Sequence, residues 1–251
     1  SRNSLVVESI IQTKEIKPMF FLYENVQSFL KTICTDVDGV NKTIKSVIKI
    51  HLSGDYNILF KKINFKNYGS NSSRTRVLVV GVRKDLINLS PFDIFPSKKK
   101  SKTLKESISS LKKLNVMGEI SEDYLHSFRS YDKRMMNWII NLKEGQSAFD
   151  NKLIEEIPHR IIDGKIVINK RGNGDKYKRC SWNRSGPCIH TRNDILASQN
   201  TIHPRDNRVF SIRELMILMT IPKSFKWFKE SDKKINSSSL DYKKKLLKQN
   251  E

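Results

Sequence analysis

Apolar positions along this chain fall into short runs whose spacing shifts between continuous strand-like stretches and helical recurrence. The first run, Pro18-Met19-Phe20-Phe21-Leu22-Tyr23, is rich in aromatics and ends abruptly in Glu24-Asn25-Val26. It predicts a buried strand with polar groups at its carboxyl end. Ile44, Val47, Ile48 and Leu52 then recur at helical spacing, and Ser53-Gly54-Asp55 closes that segment. Ile58, Phe60, Ile63 and Phe65 predict an extended piece, and residues 77–82 a second apolar, β-branched strand. Strand, helix, strand, strand is the texture of an α/β sheet.

After Pro91 the pattern changes. Residues 98–113 hold seven lysines and one glutamate, and Thr103 with Glu106 has capping-box spacing ahead of Leu104, Ile108, Leu111 and Leu114, which predicts a basic amphipathic helix. Met135, Met136, Ile139, Ile140 and Leu142 mark another helix, and residues 161–168 form a hairpin about Asp163-Gly164. This middle section is irregular and shows no repeat. Near the end Ser211 and Glu214 repeat the capping-box spacing, Ile212, Leu215, Met216 and Met219 follow at i, i+3, i+4 and i+7, and Pro222 is expected to stop the helix. Residues 223–251 carry nine lysines against four acids and finish in Lys248-Gln249-Asn250-Glu251 without a closing element, so the tail reads as cut off.

Charge narrows the partners. The 251 residues include 47 Lys+Arg against 26 Asp+Glu, a formal charge of +21, so a polyanion is the expected ligand. Hydrophobic residues make up 37% and charged residues 29%, which permits a folded core with solvated insertions. No apolar stretch is long enough for a bilayer and no signal-peptide pattern opens the chain, so a soluble, intracellular protein is expected. Cys34, Cys180 and Cys188 are irregularly spaced, which offers neither a disulfide framework nor a CxxC metal half-site.

Glu24-Asn25-Val26 after an apolar strand, Ser73-Arg74-Thr75-Arg76 running into Val77-Leu78-Val79-Val80-Gly81-Val82-Arg83, then Asn200-Thr201-Ile202-His203-Pro204 and Phe210-Ser211-Ile212-Arg213-Glu214-Leu215 stand in that order. Together they resemble the successive blocks of the DNA cytosine-5 methyltransferases: ENV, an arginine pair leading into a VGxR strand, a variable target recognition region, and TIHP with R.FS.RE. The resemblance covers roughly Pro18 to Asp85 and Cys188 to Phe228. It implies an α/β fold in which the C-terminal part of a Rossmann-like sheet (1–90) precedes a smaller irregular α+β recognition domain (91–200) and a hinge or return segment (201–251).

The same resemblance implies a chemistry. Carbon-5 of cytosine is a poor nucleophile, so the family's enzymes add a cysteine thiolate to carbon-6, and the resulting enamine takes a methyl group from S-adenosylmethionine. Glu24, with Asn25 beside it, would offset charge at the ring's N3 edge and read the exocyclic amine, a role favoured by a water-poor pocket. Arg74 and Arg76 would bind the O2 edge of the flipped base and flanking phosphates, since planar donor forks suit both. Lys98, Lys99, Lys100 and Arg213 are the DNA-binding candidates, although Arg213 and Glu214 are expected chiefly to organise the domain hinge. The partner would be double-stranded DNA, the location bacterial cytoplasm, and the setting a restriction-modification system.

The chain departs from the pattern at several points. Ser72 stands where the family usually has Gln. The glycine-rich FxGxG turn for S-adenosylmethionine and the Pro-Cys nucleophile block should precede ENV, yet only 23 residues precede Glu24, and no GNxVP-like block follows Phe228. The cofactor's site is therefore expected mostly outside these residues, and the chain alone is expected to be inactive as a fragment, split subunit or remnant, with a second chain as a candidate carrier of the missing blocks. Pro187-Cys188 is followed by Ile189 and lies in the recognition region, so it is read as a small buried residue and not as the nucleophile. Gly172-Asn173-Gly174 lacks a preceding cofactor strand and reads as a loop. Two rivals remain: a noncatalytic DNA-recognition subunit dependent on a partner, and a generic basic nucleic-acid-binding protein whose motif matches are accidental.

Overall fold

In the computed structural model, which describes residues 4–248 apart from 129, 173 and 199, the chain divides into two compact units. One comprises Ser1–Gly69 and Arg74–Lys100, the other Ser70–Ser73 and Ser101–Glu251.

The first unit is a sheet covered by helices. Its elements are α1 (Ser4–Ile16), β1 (Phe20–Asn25), the hairpin of β2 (Ile33–Thr35) and β3 (Asn41–Thr43), α2 (Ile44–Leu52), β4 (Tyr56–Asn64) and β5 (Thr75–Arg83). The sheet order is β1-β5-β4. β5 is antiparallel to both neighbours, with Phe20 opposite Val82 and Asn25 opposite Val77 on one side, and Tyr56 opposite Arg83 and Asn64 opposite Thr75 on the other. β1 and β4 therefore run parallel, and the path between them passes through α2 as an α/β crossover. Thr43 starts α2 by accepting a hydrogen bond from the Ser46 N–H.

Val7 and Ile10 of α1 and Ile44, Val47, Ile48 and Leu52 of α2 pack on Phe21, Val77 and Val79. Because these helices cover one sheet face, β1 is not the fully buried strand that its apolar run suggests. Phe21 is buried, but Phe20 and Leu22 are 42% and 58% exposed. Phe21 lies directly opposite Gly81. A Cβ at Gly81 would fall on the Phe21 ring, so the strand keeps a glycine beneath an aromatic.

The second unit contains little regular structure: α3 (Leu104–Ile108), α4 (Lys133–Ile139), the hairpin of β6 (His159–Ile162) and β7 (Lys165–Ile168), α5 (Ile212–Leu218), α6 (Asp232–Asn236) and α7 (Leu240–Lys248). Three apolar clusters hold it together. Trp138 and Ile139 pack with Leu196, Ile202 and Val209; Leu104 and Ile108 with Cys180, Phe210 and Leu218; Tyr124 and Leu125 with Met216, Ile235 and Leu246. Each cluster joins residues before and after position 200.

Three expectations are corrected. The helix anticipated over residues 98–113 is confined to α3. Its capping box forms as the sequence indicates, but the Lys99 N–H donates to the Asn67 carbonyl at 2.8 Å, which holds that stretch extended. The tail does contain organised elements: Ile235 of α6 is fully buried and Leu246 of α7 nearly so. Pro222 does not set the end of α5, which stops at Leu218 with Thr220 at φ 59°. Residues 249–251 and Asn173, which figured in the sequence reading, lie outside the described residues. Among the described residues no helix is long and apolar enough to cross a membrane.

Candidate functional site

Antiparallel pairing of β1 with β5 puts the end of one strand beside the start of the other. Glu24 lies opposite Leu78, two residues from Arg76, so both side chains project from the same sheet face. Arg76 Nε lies 2.9 Å from Glu24 Oε1. The guanidinium is 16% exposed and the carboxylate 43%, so the arginine is held while the acid still faces solvent. Arg76 Nη1 also donates to the Thr75 carbonyl at 2.8 Å. Two candidates far apart in sequence thus meet as a charge-assisted pair.

Asn25 alternates to the other sheet face, where its Oδ1 accepts from the Val26 N–H at 2.8 Å. It serves the chain's turn out of β1. Arg74 sits just before β5, half-buried, and its carbonyl accepts from the Phe65 N–H at 3.0 Å. Ser72, at the usual position of Gln, is buried, with its N–H donating to Ser70 Oγ at 3.3 Å.

The DNA-binding candidates divide. Lys98, Lys99 and Lys100 are all exposed on an extended stretch. Arg213 is instead engaged inside the second unit, with Nε donating to Asp123 Oδ2 at 2.6 Å and Nη2 to Asp232 Oδ2 at 3.2 Å. That fork ties α5 to α6 and to the loop at Asp123.

A buried charge network around α5 went unrecognised in the sequence as a network. Arg208 is fully buried and donates to both carboxylate oxygens of Glu214, at 2.7 and 2.8 Å, and to Asp206 Oδ2 at 3.0 Å. Burial works against Glu214's charge, yet the hydrogen bonds and charge of Arg208 outweigh it and hold the carboxyl below its ordinary value. Burial, reinforced by Arg208 and Arg205, lowers His203 to about 4. His203 Nδ1 is thereby kept as an acceptor for the backbone N–H groups of Arg205 and Asp206. The spacing of His203, Arg208 and Glu214 in the TIHP and R.FS.RE stretches was the available signal.

Of the thiols, burial pushes Cys180 up to about 12 and also raises Cys34, which disfavours the thiolate at both. Cys188 is half-buried and its Sγ lies 3.8 Å from its own neighbour's carbonyl, Ile189 O. Neither Gly172 nor Gly174 marks a cradle for S-adenosylmethionine. Gly172 and Gly174 follow an exposed hairpin, and a Cβ there would meet only ends of the Lys176 and Arg171 side chains, so no backbone approach requires glycine. A cavity of about 740 Å³ lies within the second unit, walled by Ile120, Phe128, Phe210, Trp227, Phe228 and Leu247.

Comparison with known proteins gives a consistent result. The family description C-5 cytosine-specific DNA methylase matches residues 1–238. The chain is 28% identical over 232 residues to the Type II methyltransferase M1.HgaI of Avibacterium volantium, covering 88% of this chain and 61% of that protein. It is 41% identical over 114 residues to the Type II methyltransferase M.FnuDI of Fusobacterium nucleatum, covering 44% of this chain and 31% of that one. The chain thus spans 61% of the first relative's length and 31% of the second's. Among solved structures, a protein described as a DNA modification methyltransferase encoded within an E. coli prophage shares the fold at TM-score 0.55 and 18% identity, covering 86% of this chain and 63% of that chain.

Proposed function

We propose, from the premise that this chain belongs to the C-5 cytosine-specific DNA methylase family, that its first unit holds the target cytosine and its second reads the surrounding duplex. The observation that carries the reading is the 2.9 Å contact between Arg76 Nε and Glu24 Oε1 at the meeting of two strand ends. It places an acid and a cation together on a rigid sheet, as recognition of one base edge requires.

In this reading the target cytosine is flipped out of the duplex, because carbon-5 is inaccessible within the stack. Glu24 accepts from the exocyclic amine and, in its acid form, donates toward N3 as negative charge develops there after a thiolate adds to carbon-6. Arg76 steadies that carboxyl group, and Arg74 and Arg76 meet the O2 edge and nearby phosphates. In this family's chemistry S-adenosylmethionine supplies the methyl group. Residues 1–90 would be the C-terminal part of a Rossmann-like catalytic sheet, 91–200 the target recognition region and 201–251 the return segment. The setting is a bacterial restriction-modification system, as the relatives' Type II names suggest.

The test is Glu24→Gln in a catalytically complete enzyme containing these residues. Removing a positioned acid should lower methyl-transfer turnover by about 10²- to 10⁴-fold, while duplex affinity changes by less than about threefold. Equal losses in turnover and affinity, or unchanged turnover, would remove Glu24 from the reaction.

A further inference from the structure

The hairpin β6–β7 presents an unusual surface. Ile161, Ile162, Ile166, Val167 and Ile168 are between 36% and 58% exposed, so branched apolar side chains lie open on both faces of a two-stranded ribbon. Strand alternation puts Arg160, Ile162, Lys165 and Val167 on one face and Ile161, Ile166 and Ile168 on the other. An isolated hairpin is only marginally stable in water, but this one is rooted. His159 is buried against Trp138 with ring centroids 5.5 Å apart, and the Asn169 N–H donates to the Pro158 carbonyl at 2.8 Å across the base. The turn Asp163-Gly164 has positive φ at both residues, which matches the twist of the strands.

We propose that this ribbon enters the major groove of duplex DNA and reads bases there. The proposal rests on the DNA-methylase reading and deepens it by naming the element that touches sequence. An object that covers both faces of a ribbon at once must surround it, and the major groove is wide enough to admit a two-stranded ribbon. The charges fit the same occupant. Among the described residues Arg160, Lys165 and Lys170 enter no ion pair, and Asp163 is the only acid within the hairpin. Arg160 and Lys170 lie toward the root, where the groove's phosphate rims would pass. Lys165 and Asp163 lie at the tip, nearest the base edges. There Lys165 matches guanine O6 and N7, Asp163 matches the cytosine N4 amine, and the aliphatic side chains of Ile162 and Val167 match thymine methyl groups.

The experiment measures binding of the 251-residue chain to two duplexes of identical sequence, one with thymine and one with uracil throughout. The wild type should prefer the thymine duplex by about fourfold for each methyl group covered. The double variant Ile162→Ser, Val167→Ser, at exposed positions, should lose that preference, and Arg160→Gln should lower the log–log salt slope by about one. Identical thymine preference in wild type and double variant, with an unmoved slope in Arg160→Gln, overturns the proposal while leaving the functional reading intact. A wild-type chain that binds no duplex at low salt overturns both. A wild-type dimer that the double variant turns monomeric with DNA binding unchanged overturns it in favour of self-association.

Discussion

Arg208 is the residue on which the second unit's polar interior depends. Its guanidinium is fully buried and bridges Asp206 and Glu214. Removing one partner of a buried pair leaves the other charges uncompensated, so Arg208→Met should cost about 3–5 kcal/mol, read from the urea midpoint. His203 adds a pH dependence with a definite sign. Its folded value of about 4 lies below the ordinary 6.5, so the unfolded chain binds the proton more readily between these values. Stability should be full above about pH 6.5 and fall as the pH drops toward 4, with further loss in more acid solution as Glu214 and Asp206, both held low, take up protons. Thermal melts across that range check it, and flat stability from pH 7 to 4 would contradict the buried neutral imidazole. At Gly81 the argument is steric, since any Cβ meets the Phe21 ring. Gly81→Ala should therefore destabilise the sheet by about 1–3 kcal/mol, with Phe21→Leu partly relieving it in a double-mutant cycle.

Among the elements, those with one strong periodic face were legible and those stabilised by tertiary packing were not. The strand over residues 77–82, the helix bearing Ile44, Val47, Ile48 and Leu52, the Asp163-Gly164 hairpin and the Ser211 capping box each carry a local signal that tertiary structure keeps. α1 was missed because Leu5, Val6, Val7, Ile10 and Ile11 crowd more than one face, with Leu5 70% exposed and Val7 buried. α6 and α7 were missed because lysines dominate them and only a few apolar residues, chiefly Ile235 and Leu246, face the core. For the site, the residue order revealed Glu24 and Arg76 as candidates, whereas their pairing depends on strand register. Likewise Arg213 stands out in the sequence as a hinge residue and a DNA-binding candidate, but its partners are hidden because Asp123 and Asp232, which engage it, lie 90 and 19 residues away. If α6 is integral to the second unit, Ile235→Ala should cost about 2–5 kcal/mol. A urea midpoint unchanged from wild type would show α6 to be peripheral.

Across the whole molecule the dominant fact is charge. A formal +21 spread over 251 residues gives any phosphate-binding face a large counterion-release contribution, which is independent of base sequence. Specific readout has to come from fewer contacts, such as those proposed for the β6–β7 ribbon and for Glu24 with Arg76. These two kinds of binding respond differently to salt and to mutation. Duplex affinity of the chain should fall steeply as salt rises, with a log–log slope of about −0.9 for each phosphate neutralised. Replacing Lys98, Lys99 and Lys100 by Gln should flatten that slope by up to about three, because all three are exposed on one extended stretch. Arg213→Gln should leave the slope unchanged, since its guanidinium is already engaged by two carboxylates. Binding titrations over a salt series on one duplex separate the cases. A slope indifferent to the lysines, or lowered by Arg213→Gln alone, would move the phosphate-binding face away from residues 98–100.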